Sequence, residues 1–310
     1  MKTIELRPQK LADFIGKSSM KNNLGIYLNA AKKRSSCLDH ILFYGMAGVG
    51  KTSLAFIIAN ELNVKIHIVQ GNALNKPIDI INLLSLVQEN DVVFIDEIHA
   101  CHNLVFETLY SVMEDFAIDV AIGKEFNAKA TRIKLPKFTL IGATTALGKI
   151  PKPLEERFGF SFFMSEYEVG EIIQLIKINA LKIDLELSED EISLIALNAK
   201  GIPRIANRLL RRIYDFKTTN SSWDVEQIFK QIKIYEDGLE ECDLQYLLAL
   251  YNYETDIGLK SICQITQLDP LTVETKIEPF LIKRNYITKS LKGRRITYKG
   301  IEFIKNNALV

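Results

Sequence analysis

The stretch Gly45-Met46-Ala47-Gly48-Val49-Gly50-Lys51-Thr52 constrains the fold of this chain more than any other. It fits G-x-x-x-x-G-K-[ST], a loop that wraps the phosphates of a nucleotide. Such a loop works between a buried strand and the start of a helix, where backbone amides and the helix dipole converge on the anion. The sequence supplies both. Ile41-Leu42-Phe43-Tyr44 is a short apolar run that reads as a buried strand, and Thr52 to Leu62 is rich in helix formers. Lys51 is expected to reach the β- and γ-phosphates, and the Thr52 hydroxyl to ligate magnesium.

The rest of the first half extends this pattern. Apolar runs at Lys65–Val69, Val92–Ile95 and Phe138–Ala143 alternate with helical segments, as in a parallel α/β sheet. From Val169 to about Glu236 the pattern is helical, punctuated by Gly201-Ile202-Pro203, with Pro203 placed to open the helix Arg204–Phe216. Beyond Asp237-Gly238, three short helices are expected at Leu244–Tyr251, Leu259–Thr266 and Leu271–Arg284, followed by a β-ribbon. A length of 310 residues favours two or three domains, and 47% hydrophobic with 25% charged residues is the composition of a globular protein. Cys37, Cys101, Cys242 and Cys263 form no C-x-x-C pair and are expected as reduced thiols. The first residues hold no apolar core of signal-peptide length, and no run approaches membrane-spanning length. A soluble cytoplasmic protein is expected.

Val92-Val93-Phe94-Ile95-Asp96-Glu97 reads as a buried strand ending in two carboxylates. Set beside the phosphate loop, Asp96 would serve the magnesium and Glu97 the attacking water, a division of labour suited to phosphoryl transfer. A second strand ends in Thr144-Thr145, where a hydroxyl can hold that water or sense the γ-phosphate. Pro153-Leu154-Glu155-Glu156-Arg157-Phe158-Gly159 mounts an arginine beside Pro and Gly, as an arginine finger requires. Asn75-Lys76-Pro77-Ile78-Asp79 looks like a guanine-reading Asn-Lys-x-Asp, but its Asp comes one residue late and it precedes the Asp96 strand, so ATP is expected rather than GTP. His99-Ala100-Cys101-His102 has no neighbours to complete four zinc ligands and is expected to be structural.

A net charge of +1 announces no nucleic-acid partner, so any basic surface must be local. Lys283, Arg284, Lys289, Lys292, Arg294, Arg295 and Lys299 fall within 17 residues that contain no acid. They flank a predicted strand, turn and strand in a region that reads as a winged helix, and suit phosphates rather than base edges.

Taken together, these strings resemble the RuvB family, the AAA+ motors that drive Holliday-junction branch migration. The likeness runs from Leu6-Arg7-Pro8 through the phosphate loop, Phe94 to His99, Tyr110 to Phe116, Thr139 to Thr145 and Pro153 to Gly159. Pro203 to Arg212 and Ile277 to Ile282 complete it. The resemblance implies an AAA+ P-loop NTPase domain with a parallel sheet over 1–168, a small all-helical lid over 169–239 and a winged-helix head over 242–310. It implies Leu6, Arg7, Gly48, Lys51, Thr52, Ser53, Tyr167 and Arg204 as ATP contacts, with Glu114-Asp115-Phe116 near a neighbouring protomer's nucleotide. Arg157 is similar to the family's finger, and Lys289 and Arg294 match its DNA-contacting pair. ATP and Mg²⁺, a homohexameric ring, Holliday-junction duplex DNA, a resolving nuclease and the junction-binding partner RuvA are the implied ligands and partners, RuvA docking on the hairpin at 118–134. The departures are Met46-Ala47 where the family has two prolines, Lys289-Ser290-Leu291-Lys292-Gly293-Arg294 for Arg-Thr-Pro-Arg-Gly-Arg, and Tyr251 to Asp256 for a glycine-rich stretch. Two other readings are a clamp-loader or initiator ATPase, which would lack the Arg204 string and the hairpin, and an ATP-gated winged-helix switch, which does not need Glu97.

Overall fold

Alternating apolar strands and helices in the first part of the chain build one parallel sheet. The computed structural model describes residues 6–122, 129–253 and 255–307. The chain divides into two units, Met1–Tyr214 and Asp215–Val310. In chain order the strands of the first are β1 (Ile41–Gly45), β2 (Ile66–Gln70), β3 (Val92–Asp96), β4 (Ala117–Ile122), β5 (Lys129–Lys134), β6 (Thr139–Thr144) and β7 (Phe160–Met164). Five of them form the sheet β2-β3-β6-β1-β7, every pair parallel. Val92, Val93, Phe94 and Ile95 are all fully buried, as an apolar run covered on both faces must be. On one face Leu42, Val93, Ile95 and Leu140 pack against Leu84, Val105 and Leu109 from the flanking helices.

Two features differ from the expectation. A fifth strand, β7, lies at the sheet edge, where Tyr27 of the helix Ser18–Arg34 stacks on Phe160 with ring centroids 3.9 Å apart. It follows directly on a Pro/Gly turn, and its half-exposed alternation gives only a weak strand signal. The second difference is positional: β3 does not lie beside β1, because β6 runs between them. The carboxylates nevertheless reach the phosphate loop at the sheet's carboxyl edge, where Asp96 comes within 3.4 Å of Thr52.

The expected strand pair is present. β4 and β5 pair antiparallel from Ala117↔Lys134 to Ile122↔Lys129, while residues 123–128 between them lie outside the described residues. Phe116, with a left-handed φ of 49°, ends the helix Asn103–Asp115 and turns the chain into β4. The helices Val169–Lys182 and Glu189–Asn198 and the first part of Pro203–Thr219 complete this unit. Ser188 accepts from Glu191 N at 3.2 Å while the Glu191 carboxylate accepts from Ser188 N at 2.9 Å, a reciprocal cap. Pro203 opens its helix as the sequence placed it.

In the second unit, helices Glu241–Tyr251 and Leu259–Thr266 precede the ribbon of β8 (Ile287–Ser290) and β9 (Gly293–Ile296). The third expected helix is broken: Pro270–Thr272 runs into a π-turn at Val273–Ile277 and then Glu278–Lys283. Pro279 has no N–H to donate and its ring crowds the preceding turn, which the wider turn relieves. A further helix, Tyr298–Asn306, follows the ribbon and is capped by Thr297. Tyr246, Leu247, Ile262, Ile277, Leu281 and Ile304 form the centre of this unit's core.

Candidate active site

β1 delivers the phosphate loop at the carboxyl edge of the sheet. Gly50, at φ 106°, precedes the helix Lys51–Leu62, whose first amides have no side-chain cap. Those donors and the helix dipole face outward from the loop, the arrangement that favours an anion. Gly48, at φ 84°, passes so close to the next helix that a Cβ there would stand 2.9 Å from both Arg204 Cβ and Ile202 Cγ2. Arg204 N donates to Gly48 O at 3.3 Å, and the Tyr167 hydroxyl donates to Val49 O at 3.2 Å. The buried Tyr167 phenol is pushed up by desolvation. Loop, Tyr167 and Arg204 are thus brought together.

Lys51 is buried and donates from Nζ to Gly45 O at 2.7 Å and Met46 O at 2.8 Å. Burial holds its pKa below the ordinary value, opposed by the negative charges of Glu97 and Asp96. The Thr52 hydroxyl lies 3.4 Å from Asp96 Oδ2, and Gln70 Nε2 3.5 Å from the same oxygen. Hydroxyl and carboxylate side by side are the hard oxygen donors that suit Mg²⁺. Ser53 is half-buried on the same helical turn. Arg7 stacks over Phe56 of this helix, its guanidinium 4.6 Å from the ring centroid, and Leu6 is buried.

Glu97 stands at the end of β3 with φ 51° and ψ 51°, a left-handed conformation rare for a residue with a side chain. Its Oε2 accepts from Thr145 N at 3.0 Å and from the Thr145 hydroxyl at 2.9 Å. The His99 ring lies 3.1 Å from the same oxygen. His99 escaped the sequence reading as a member of this group; the tight turn Ile98–Ala100 that swings it back onto Glu97 leaves no periodic signal. Its neighbour Cys101 is buried and its thiol is pushed up to about 12, a poor state for a metal thiolate. Among the described residues, no three His, Cys, Asp or Glu side chains are grouped to hold a metal ion.

Arg157 stands apart from these groups. Its NH2 donates to Glu114 Oε2 at 2.8 Å, NH1 donates to Pro153 O at 2.6 Å, and the guanidinium lies over the Tyr110 ring. Asp115 pairs with Arg132, and Phe116 packs against His40 and Phe138. The structure therefore joins Arg157 to Glu114 at the end of one helix, and gives Phe116 a core role besides.

The basic ribbon differs most from its appearance in the sequence. Lys289 and Arg294 pair across β8 and β9, two residues from Ile287 and Ile296, so strand alternation turns them toward the unit's own helices. Arg294 donates from Nε to Glu278 Oε1 at 2.7 Å and from NH2 to Glu274 Oε1 at 3.3 Å. Lys289 Nζ donates to Glu278 Oε2 at 2.9 Å, and Tyr246 donates to Glu278 Oε1 at 3.0 Å. Burial alone would raise the Glu278 pKa; Arg294 and Lys289 outweigh it and hold the carboxyl low. Arg295 and Lys299 also face acids, Asp256 at 3.8 Å and Asp237 at 3.1 Å. A patch without acids in its own segment is countered by acids folded onto it, and a phosphate at Lys289 or Arg294 must compete with Glu278.

Three family models match nearly the whole chain: the Holliday junction DNA helicase RuvB P-loop domain over residues 6–164, the RuvB AAA lid domain over 167–236 and the RuvB C-terminal winged helix domain over 236–305. The chain belongs to the RuvB family. Among similar proteins, one from Ureaplasma urealyticum serovar 10, described as Holliday junction branch migration complex subunit RuvB, is 62% identical over 99% of this chain and 98% of its own length. A protein of the same description from Mycoplasma genitalium is 46% identical over 96% of this chain and 97% of its own. The solved Thermotoga maritima RuvB, described as a Holliday junction branch migration motor, superposes with a TM-score of 0.82 at 34% identity, covering 97% of this chain and 98% of that one. A RuvB chain accordingly carries a nucleotide-binding P-loop domain, a lid and a winged helix, and here the P-loop glycines, Lys51, Asp96 and Glu97 lie in the first of these.

Proposed function

We propose that this chain is the ATP-driven motor subunit that migrates Holliday junctions in recombination and repair. The observation that carries the reading is the convergence of Lys51, Thr52, Asp96, Glu97 and Thr145 at one edge of a parallel sheet in a RuvB chain. Lys51 and the helix amides hold the ATP phosphates, with Gly48 and Ser53 lining the loop. Thr52 and Asp96 hold Mg²⁺, which when bound supplies neutralising charge at the phosphates. Glu97 takes a proton from the attacking water while Thr145 fixes its carboxylate. Leu6, Arg7 and Tyr167 contact the nucleotide beyond the phosphates, and Arg204 reads the γ-phosphate from the lid, so that hydrolysis moves a rigid body.

Arg157 and the segment Glu114-Asp115-Phe116 act on a neighbouring protomer's nucleotide in a homohexameric ring. Their joining through the Arg157–Glu114 bond supports a shared face. The functional domains are 1–168, 169–239 and 242–310. The hairpin at 118–134 receives RuvA, the wing with Lys289 and Arg294 meets duplex DNA, and a resolving nuclease acts on the same junction. The motor works in the cytoplasm; among the described residues no helix is long and apolar enough to cross a membrane.

Glu97→Gln tests the assignment. The amide keeps the shape but accepts a proton poorly, so ATP binding and ring formation should survive while turnover falls by roughly 10²–10⁴-fold. Turnover at the wild-type rate would remove Glu97 from the mechanism.

A further inference from the structure

We infer that His99 is a positioning residue that fixes which carboxylate oxygen of Glu97 receives the proton; this rests on the reading of Glu97 as the base. Two donors bond Oε2, Thr145 N at 3.0 Å and the Thr145 hydroxyl at 2.9 Å, and His99 Nδ1 faces the same oxygen from 3.1 Å while its hydrogen bond goes to the Thr144 hydroxyl. Among the described residues, Oε1 receives none of these bonds. Nδ1 must carry the hydrogen, because a carboxylate has only lone pairs and would repel a bare ring nitrogen at that distance.

The ring is itself held. Nδ1 also lies 3.0 Å from the hydroxyl of the fully buried Thr144, which accepts from Ala146 N at 2.9 Å. The backbone beneath it is over-determined as well. Glu97 is left-handed, and its carbonyl oxygen would stand 2.2 Å from a Cβ at Gly71, so a side chain there would push the whole turn away. With Oε2 bonded twice by Thr145 and faced by the His99 N–H, the carboxylate is held in one orientation and Oε1 is presented to water. As the water oxygen bonds to the γ-phosphorus and the bond to the β,γ-bridging oxygen breaks, the water's proton goes to Oε1. The Asp-Glu-Ile-His string thus gains a function for its last residue that involves no metal.

The test compares His99→Leu and His99→Asn in steady-state ATP turnover with Mg²⁺, alongside the Kd of a fluorescent ATP analogue. An asparagine amide nitrogen can take the place of Nδ1; a leucine cannot donate. Leu should lower kcat by about 10²-fold, the low end of what a positioned base contributes, with KM and Kd little changed, while Asn recovers most of the turnover. Wild-type turnover in His99→Leu, an equal loss in His99→Asn, or a Kd that rises with the loss of turnover would overturn the inference. Should the Leu variant not fold, His99→Ala carries the same comparison. Indifference at position 99 in a hydrolysing protein overturns this inference alone; a wild-type protein that binds ATP without hydrolysing it overturns the proposed function with it.

Discussion

A buried carboxylate persists as an anion only where donors converge on it, and Glu278 meets that demand with Arg294, Lys289 and Tyr246. Its side chain is 1% exposed and that of Arg294 10%. Glu278→Gln leaves the guanidinium only the half-exposed Glu274 as counter-charge and should destabilise the winged-helix unit by about 3 kcal/mol, read from urea unfolding. The pH dependence has a definite sign. A carboxyl held below its ordinary 4.5 contributes stability that is complete above that pH and is lost as the pH falls through the lower native value. Acidification below pH 4.5 should therefore lower the wild-type unfolding midpoint more than that of Glu278→Gln. At this scale the sequence was legible where chemistry is local: Lys51, Thr52, Asp96 and Glu97 each sit in a short string with its own signature. His99 and Glu278 were not legible as partners. His99 reaches Glu97 by a tight turn, and the acids facing the basic ribbon come from other elements.

Among the elements, buried central strands were readable because an apolar run covered on both faces has no alternative. The edge strand β7 was not, since its burial alternates and the turn before it masks its start. The third helix of the winged unit was legible as helix but not as helix broken at Pro279, where a missing donor is accommodated by a π-turn. The β8–β9 ribbon carries the clearest prediction at this scale. Lys289 is 39% exposed and bonded to Glu278 and Glu274, whereas Arg294 is enclosed. If DNA draws Lys289 off these acids, Lys289→Ala should weaken duplex binding and flatten the slope of log K against log salt by about 0.9. An unchanged slope would mean that Lys289 stays on the domain's own carboxylates.

For the whole molecule, the family was legible because its distinguishing strings are spread along the chain rather than confined to the phosphate loop. That loop is common to many nucleotide-binding proteins; the Arg157 turn, the β4–β5 hairpin, the Arg204 helix and the basic ribbon together narrow it to one. The sheet order was less legible, because parallel strands carry no sequence mark of their neighbours, and β6 took the place between β1 and β3. In the proposed function, ATP turnover at Lys51 moves DNA. The most direct measurement follows strand separation of a synthetic four-way junction with ATP and Mg²⁺, with and without RuvA, for the wild-type protein and Lys51→Ala. ATP-dependent separation that Lys51→Ala abolishes is the predicted result; separation that persists in Lys51→Ala would contradict it.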